Sequence, residues 1–454
     1  MDYQKIISAQ QLYFSSDETK SIVFRKTQLK KLKALLIANE PALYEAIYKD
    51  FKKSTFETYA TELGLVYHEI DTALKELQGW SSRQRVATNL ANFPAKSYII
   101  SEPLGVAFIM GAWNYPYQLS LAPVVAAMAA GNTVILKPSE IPVHSSAILA
   151  KLINENFPAN YFIVIEGGVE VTTALLKLKF DKIFFTGSTT VGKIVYKAAA
   201  EHLTPVTLEL GGKSPAFVLK DCNINRTAQR MVWAKFLNAG QTCIAPDYVL
   251  VDQAIEKRFL EALKKQIQQF YSAANFENYV QIINDKNFDR LLSLIDTDKV
   301  YFGGTHNKAE RYIAPTILQN VSFSDKVMQE EIFGPILPVI SFTDLDKAIL
   351  EIKLRPKPLS CYVFSNKTKQ IEHLLHTLSF GGGAVNDAVM HISNGHLPFG
   401  GVGSSGMGNY HGEAGFKAFS HYKSILHKPF WFEATMKYGP YTRLKLALIK
   451  KLLG

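Results

Sequence analysis

The chain has 454 residues, 47% of them apolar and 20% charged, enough for two or three lobes with substantial cores and unlike a disordered or fibrous protein. A formal charge of +10 comes from 50 basic residues dispersed among 40 acidic ones, which reads as solvated surface and excludes a clustered nucleic-acid groove. Cys222, Cys243 and Cys361 show no CxxC spacing and no histidines at metal-ligand intervals, so neither a disulfide framework nor a metal site is expected, and a reducing, cytoplasmic setting is.

The opening "MDYQKIISAQ" lacks the apolar core of a secretory signal. From about Ser21 to Gln84, apolar residues at three and four spacing predict helices. A Pro-containing extended stretch from Arg83 to Ser101 follows, suited to a linker or to an arm that pairs with another strand. From Gly105 onward short apolar runs ("VAFIM", "TVILK", "FIVIEG", "KIFFTG") alternate with amphipathic helical patterns, the sign of βαβ units in a doubly wound parallel sheet. Leu119 to Leu136, the most apolar stretch, is interrupted by Ser120, Pro123, Gly131 and Asn132 and reads as a buried helix turning into a strand. A second alternating series begins near "VTLELGG", so two α/β lobes meet close to Leu208. The terminal "YTRLKLALIKKLLG" puts Leu444, Leu448, Ile449 and Leu452 on one helical face. Such a helix either packs on the body or a partner, the expected outcome, or lies on an acidic membrane surface.

Within "KIFFTGSTTVGKIV", Gly187, Gly192 and Lys193 fall at the spacing of a phosphate-cradling P-loop. Ile194 occupies the position of the metal-binding hydroxyl, and an isoleucine does not coordinate Mg²⁺, which weakens the NTPase reading and leaves it to a nucleotide hydrolysis assay. What survives is a Gly-Ser-Thr-Thr turn opening a helix, whose free N–H groups suit a phosphate or form an ordinary strand-to-helix turn.

Four further stretches place polar residues beside tight turns: "GAWNYP", "LKPSE", "LELGGKSP" and "NAGQTCIAP". Cys243 follows Gly240-Gln241-Thr242 in a polar loop, the setting of a nucleophile more than of a structural thiol such as Cys361 inside "LSCYVF". Glu209, between leucines at a strand end, is either a solvated acid or a buried base able to take a proton from water. Asn114 carries a neutral amide donor that serves a turn, or an oxyanion if held near Cys243.

Together these motifs, with 34 positions from Glu209 to Cys243, resemble the NAD(P)-dependent aldehyde dehydrogenases along essentially the whole chain, and within them the short class 3 group that includes fatty-aldehyde enzymes. The resemblance implies Cys243 as nucleophile, Asn114 and the Cys243 N–H as oxyanion hole, and Glu209 as general base. It implies that Lys137 and Glu140 of "LKPSE" hold the adenosine ribose, that Glu331 of "EEIFGP" binds the nicotinamide ribose, and that Phe333 packs beside it. Gly187, Ser188 and Gly192 then become the turn that admits the pyrophosphate, and Lys193 a solvated residue. His411, in the Tyr-His-Gly element of the late class 3 signature, receives no chemical step.

The implied α/β fold has a Rossmann-type cofactor domain (1–82 and 103–207), a catalytic domain (208–395), and an oligomerisation arm with the C-terminal segment (83–102 and 396–454). The expected activity is oxidation of an aldehyde, medium- to long-chain aliphatic or aromatic, by a homodimer using NAD, with NADP as a second cofactor. An acylating relative that passes the thioester to coenzyme A and an inactive binding homologue are the alternatives.

Overall fold

The computed structural model describes residues 2–271 and 279–453. Its first sheet has six strands, in spatial order Gly406–Met407, Val206–Glu209, Lys182–Thr186, Val106–Met110, Thr133–Lys137 and Phe162–Val164. All pair in parallel except Gly406–Met407, which runs antiparallel to Val206–Glu209. The inner strands are buried along their whole length, which is why they read as continuous apolar runs instead of alternating ones. Val106–Met110 pairs with Thr133–Lys137 on one side and with Lys182–Thr186 on the other. The strand order reverses there, and a crevice opens at the carboxyl ends.

The Gln118–Ala130 helix is buried at every position and stops at Gly131, whose φ of 97° closes the turn. Burying each of its leucine and valine side chains contributes about 1.5–3 kcal/mol. The N-terminal helices pack over this layer, and Gln10 Nε2 stitches the first of them to the carbonyls of Val134 and Ala159, each at 3.0 Å. The helical run expected from Ser21 to Gln84 is in fact divided into Ile22–Ala38, Glu40–Phe51, Thr55–Thr58 and Gly64–Trp80, with a π-helical turn at Tyr59–Leu63.

The second sheet has seven strands, in the order Val300–Phe302, Thr316–Leu318, Ile336–Phe342, Tyr248–Asp252, Pro215–Val218, Ser360–Phe364 and Gly382–Val385, parallel apart from its Val300–Phe302 edge. A third, antiparallel sheet joins Gln84–Val86 and Ser420–His427 to either side of Lys96–Pro103. The extended stretch after Arg83 is therefore an arm strand that pairs with a strand more than 300 positions later.

Two boundaries differ from the sequence reading. The fifth parallel strand runs to Glu209, past the expected lobe boundary at 207, because its pairing with Lys182–Thr186 continues to Thr186↔Glu209. The segment just after 396 is stitched to the lobe of the six-stranded sheet and not to the arm: Gly406 pairs with Glu209, and Asn132 Nδ2 donates to the Phe419 carbonyl at 3.0 Å. The terminal helix Arg443–Leu453 forms as expected, but Leu444, Leu446 and Leu448 are exposed instead of packed on the body; the side chain of Leu452 lies outside the described residues. Among the described residues no helix is long and apolar enough to cross a membrane, and no cluster of His, Cys, Asp or Glu is placed to hold a metal ion.

Candidate active site

A cavity of about 990 Å³ runs from the carboxyl ends of the six-stranded sheet to the loop carrying Cys243. That loop leaves the Ile224–Phe236 helix through a left-handed turn, with φ of 54° at Asn238, 51° at Ala239 and 72° at Gly240. A Cβ on Gly240 would lie 2.3 Å from the Gly334 carbonyl oxygen, so this position requires glycine. Asn238 holds the turn, its Nδ2 donating to the carbonyls of Asn114 at 2.9 Å and Gln241 at 3.1 Å. Gln241 is fully engaged: Nε2 donates to the carbonyls of Asn238 and Gln281, and Oε1 accepts from the Ile283 N–H.

The chain thereby brings two distant motifs together. Asn114 Nδ2 donates to the Gln241 carbonyl at 3.0 Å, and its second hydrogen is left over for an oxyanion. Beside it, the Tyr115 hydroxyl meets Thr242 Oγ1 at 2.6 Å. Glu209 ends its strand 3% exposed, with neither carboxylate oxygen hydrogen-bonded, and it lines the same cavity. Burial pushes its carboxyl well above the usual carboxylate range. Burial likewise pushes the Cys243 thiol up to about 12, and the charges of Glu331 and Glu209 add to the rise. An unpartnered buried acid and a half-buried thiol thus line one cavity, and the acid is not a strand-end ion pair.

The other end of the cavity is a crevice that fits a dinucleotide. Ser188 caps the Thr189–Ala200 helix, Oγ accepting from the Val191 N–H at 3.4 Å, and Gly187 lies at its mouth, so free N–H groups face the space where a phosphate would sit. Val169, Leu176, Val191 and Ile194 supply apolar side chains to the cavity lining, against which a flat base would pack. Ile194, the residue that weakened the P-loop reading, is 57% exposed and forms one wall. Lys137 Nζ pairs with Glu140 Oε2 at 2.6 Å. Burial raises the Glu140 carboxyl, but the hydrogen bond from Lys137, that from its own backbone N–H and the charge of Lys137 together outweigh it and leave it below the ordinary range.

A Cβ on Gly211 would meet Glu331 Oε2 at 2.0 Å, so only glycine lets that carboxylate lie against the strand-end turn. Burial, with the charge of Asp247, raises Glu331 to about 8. Phe333 adopts a φ of 51° and packs edge-on against Trp113, ring centroids 5.3 Å apart. Gly192 is placed differently from its expected role: it is buried, a Cβ there would lie 2.6 Å from Leu210 Cδ2, and its task is close helix–strand packing and not approach of a phosphate. Lys193 is exposed, as expected. His411 stands outside the cavity, its Nδ1 2.6 Å from Glu69 Oε1.

The sequence profile of the aldehyde dehydrogenase family matches residues 1–425. The chain belongs to that family. It is similar, at 48% identity over 94% of each chain, to 4,4'-diaponeurosporen-aldehyde dehydrogenase of Staphylococcus aureus. It is 48% identical to the rat aldehyde dehydrogenase described as dimeric and NADP-preferring, over 91% of this chain and 92% of that one. The solved substrate-bound Staphylococcus aureus AldH superimposes with a TM-score of 0.97, at 45% identity and over the whole of both chains. The α/β aldehyde dehydrogenase fold is thus established for this chain.

Within this aldehyde dehydrogenase the sequence reading overlooked the walls of the cavity. Tyr115, Thr242, Trp233, Ile392 and Phe399 line the approach to Cys243, and Thr61 and Leu65 close it from the π-turn side. Tyr115, Thr242 and Phe399 carried a signal, since each lies within a motif the sequence already offered; Thr61, Leu65, Trp233 and Ile392 come from helices and loops whose patterns carry no such mark.

Proposed function

We propose that the protein oxidises an aldehyde to its carboxylic acid through a thioester on Cys243, with NAD(P) as oxidant. The observation that carries the reading is the junction of Asn114 with the Cys243 loop, opposite an unpartnered, buried Glu209. Cys243 Sγ, its proton given up to water, adds as the thiolate to the aldehyde carbon, and the oxyanion that forms accepts hydrogen bonds from the Asn114 amide and the Cys243 N–H. The bound dinucleotide supplies the acceptor for the hydride that leaves that carbon. Glu209 then takes a proton from water, the water oxygen attacks the thioester carbon, and the acid leaves as the Cys243 sulfur is released. Lys137 and Glu140 bind the adenosine ribose, Glu331 the other ribose, and Phe333 with Trp113 walls the nicotinamide end. The carboxylate of Glu140 favours NAD over a 2′-phosphorylated cofactor.

An approach lined by Leu65, Tyr115, Trp233, Ile392 and Phe399 supports a medium- to long-chain aliphatic or aromatic aldehyde. The half-exposed antiparallel arm supports a homodimer, as does the dimeric description of the rat relative. Exposed Leu444, Leu446 and Leu448 beside Lys450 and Lys451 support a weak contact of the terminal helix with an acidic membrane surface. Three free cysteines support a cytoplasmic setting. The test is cofactor reduction by the purified protein across an aldehyde panel from acetaldehyde to long-chain and benzaldehyde-type substrates, with Cys243→Ser as control. Undiminished cofactor reduction in that variant would overturn the reading.

A further inference from the structure

We infer that Lys53 is a positioning residue for the catalytic centre, a single buried cation whose two neighbouring carboxylates each anchor one of the two catalytic loops. The inference rests on the reading of Cys243 and Asn114 given above. Lys53 follows the Glu40–Phe51 helix and is completely buried, an exceptional place for a lysine. Its Nζ lies 2.7 Å from Glu62 Oε1, itself completely buried, and 4.0 Å from the centre of the Tyr115 ring.

Each carboxylate then reaches a different loop. Glu62 Oε2 accepts from the Tyr117 N–H at 2.8 Å, at the start of the Gln118–Ala130 helix, which fixes the segment carrying Asn114 and Tyr115. Glu57 Oε1 accepts from the Asn238 N–H at 2.7 Å, inside the left-handed turn that leads to Cys243. Burial raises the carboxyls of both Glu57 and Glu62, and the charge of Lys53 acts against that rise in both. Across the top the two loops meet through Tyr115 and Thr242 at 2.6 Å and through Asn114 and Gln241 at 3.0 Å.

The π-helical turn Tyr59–Leu63 explains how one short segment serves both purposes. Its extra residue per turn puts Glu62 inward against Lys53 while Ala60 and Thr61 line the substrate cavity. A rigid ion pair is thereby placed directly behind the cavity wall, and the oxyanion donor and the nucleophile loop are both referred to it. None of the three charged residues lines the cavity, so they act through the groups they hold.

The test uses the full-length enzyme in three variants. Lys53→Met is expected to slow the pre-steady-state burst of NADH at least tenfold while the KM for NAD stays within twofold. Lys53→Met/Glu62→Gln removes the charge left unpaired, so it should recover thermal stability relative to the single variant and still acylate slowly. Glu57→Gln should slow the burst at least threefold without loss of folding, and decides the matter where the Lys53 variants fold poorly. Alkylation of Cys243 by iodoacetamide in the absence of cofactor should accelerate at least threefold in each, as the loop is released. A burst within twofold of wild type in the double variant or in Glu57→Gln, or unchanged alkylation, would overturn the inference. Where the wild type shows no burst, the single-turnover rate of NADH formation takes its place; undiminished NAD reduction by Cys243→Ser refutes the thioester reading instead, and alkylation alone then judges Lys53.

Discussion

Replacing Glu209 by Gln should split the reaction into its halves. The side chain keeps its shape, and since neither carboxylate oxygen has a hydrogen-bond partner, the amide deprives no neighbour of one. What is lost is the base: general-base catalysis contributes typically 10²–10⁴-fold, about 2.7–5.5 kcal/mol of the barrier to thioester hydrolysis. Stopped-flow absorbance should show a first-turnover burst of NADH close to one per active site, followed by a steady state reduced by that factor. In the wild type, kcat should rise with pH as the elevated Glu209 carboxyl ionises, and this limb should vanish in the variant. Stability should move the other way. The folded carboxyl keeps its proton to higher pH than the unfolded one, so the native state binds more protons between the two values and stability falls as pH rises through that window. Gln has no such loss, so the thermal midpoint of the variant should exceed that of wild type at neutral and alkaline pH and converge with it near pH ~4. A steady-state rate within about threefold of wild type would refute the assignment of Glu209 as base, because the smallest expected loss is about a hundredfold.

The other perturbations read the remaining parts of the cavity. Asn114→Ala removes one oxyanion donor and should lower the burst rate constant by roughly 10²–10³, with the KM for NAD unchanged; an unaltered burst would deny it that role. Gly211→Ala drives a Cβ to 2.0 Å from Glu331 Oε2, so the carboxylate must swing away, and the KM for NAD should rise roughly tenfold in a normally folded protein. Glu140→Gln should raise kcat/KM for NADP relative to NAD by roughly tenfold. A like-charge pair near the surface costs up to ~4 kcal/mol, and this carboxylate, 45% exposed, retains only part of that. No change in the cofactor ratio would remove Glu140 from the discrimination. Co-sedimentation with anionic vesicles, lost on deleting residues 443–454, tests the terminal helix.

Which features were readable in the sequence follows from how local their causes are. The strands "VAFIM", "TVILK" and "KIFFTG" declare themselves because a strand covered on both faces must be apolar throughout. Cys243 and Glu209 were legible because each is a polar residue where its surroundings demand an apolar or turn residue. Gly192 misled because a glycine at a helix start serves phosphate approach and tight helix packing equally well, and only the position of Leu210 separates the two. The terminal leucines show periodicity without an address: the pattern predicts a face, and the fold leaves it uncovered. Tyr115 and Thr242 lie 127 positions apart, and no spacing rule announces their hydrogen bond. Lys53 and Glu62 are close in sequence, yet a Lys and a Glu nine positions apart predict a solvated surface pair; burial of both depends on the π-turn, which has no sequence signature of its own.

The location of the cavity also explains why the sheet rule found one half of the site and not the other. Glu209 stands at the carboxyl end of its strand, where ligands of parallel sheets are expected, and the cofactor crevice follows from that rule. Cys243 precedes the Tyr248–Asp252 strand and so lies at the amino end of the second sheet, where the same rule predicts nothing. The Cys243 loop is accordingly held from more than one side. One contact comes from the seven-stranded sheet itself, the Tyr362 hydroxyl donating to the Ile244 carbonyl at 2.5 Å, and others come from outside it: Asn114 and Tyr115 from the lobe of the six-stranded sheet, and Glu57 from the helical layer backed by Lys53. A thiol held across a lobe junction in this way is only as well placed as the junction is rigid. A completely buried ion pair on one side of that junction and a glycine-dependent turn on the other are two features that keep it so.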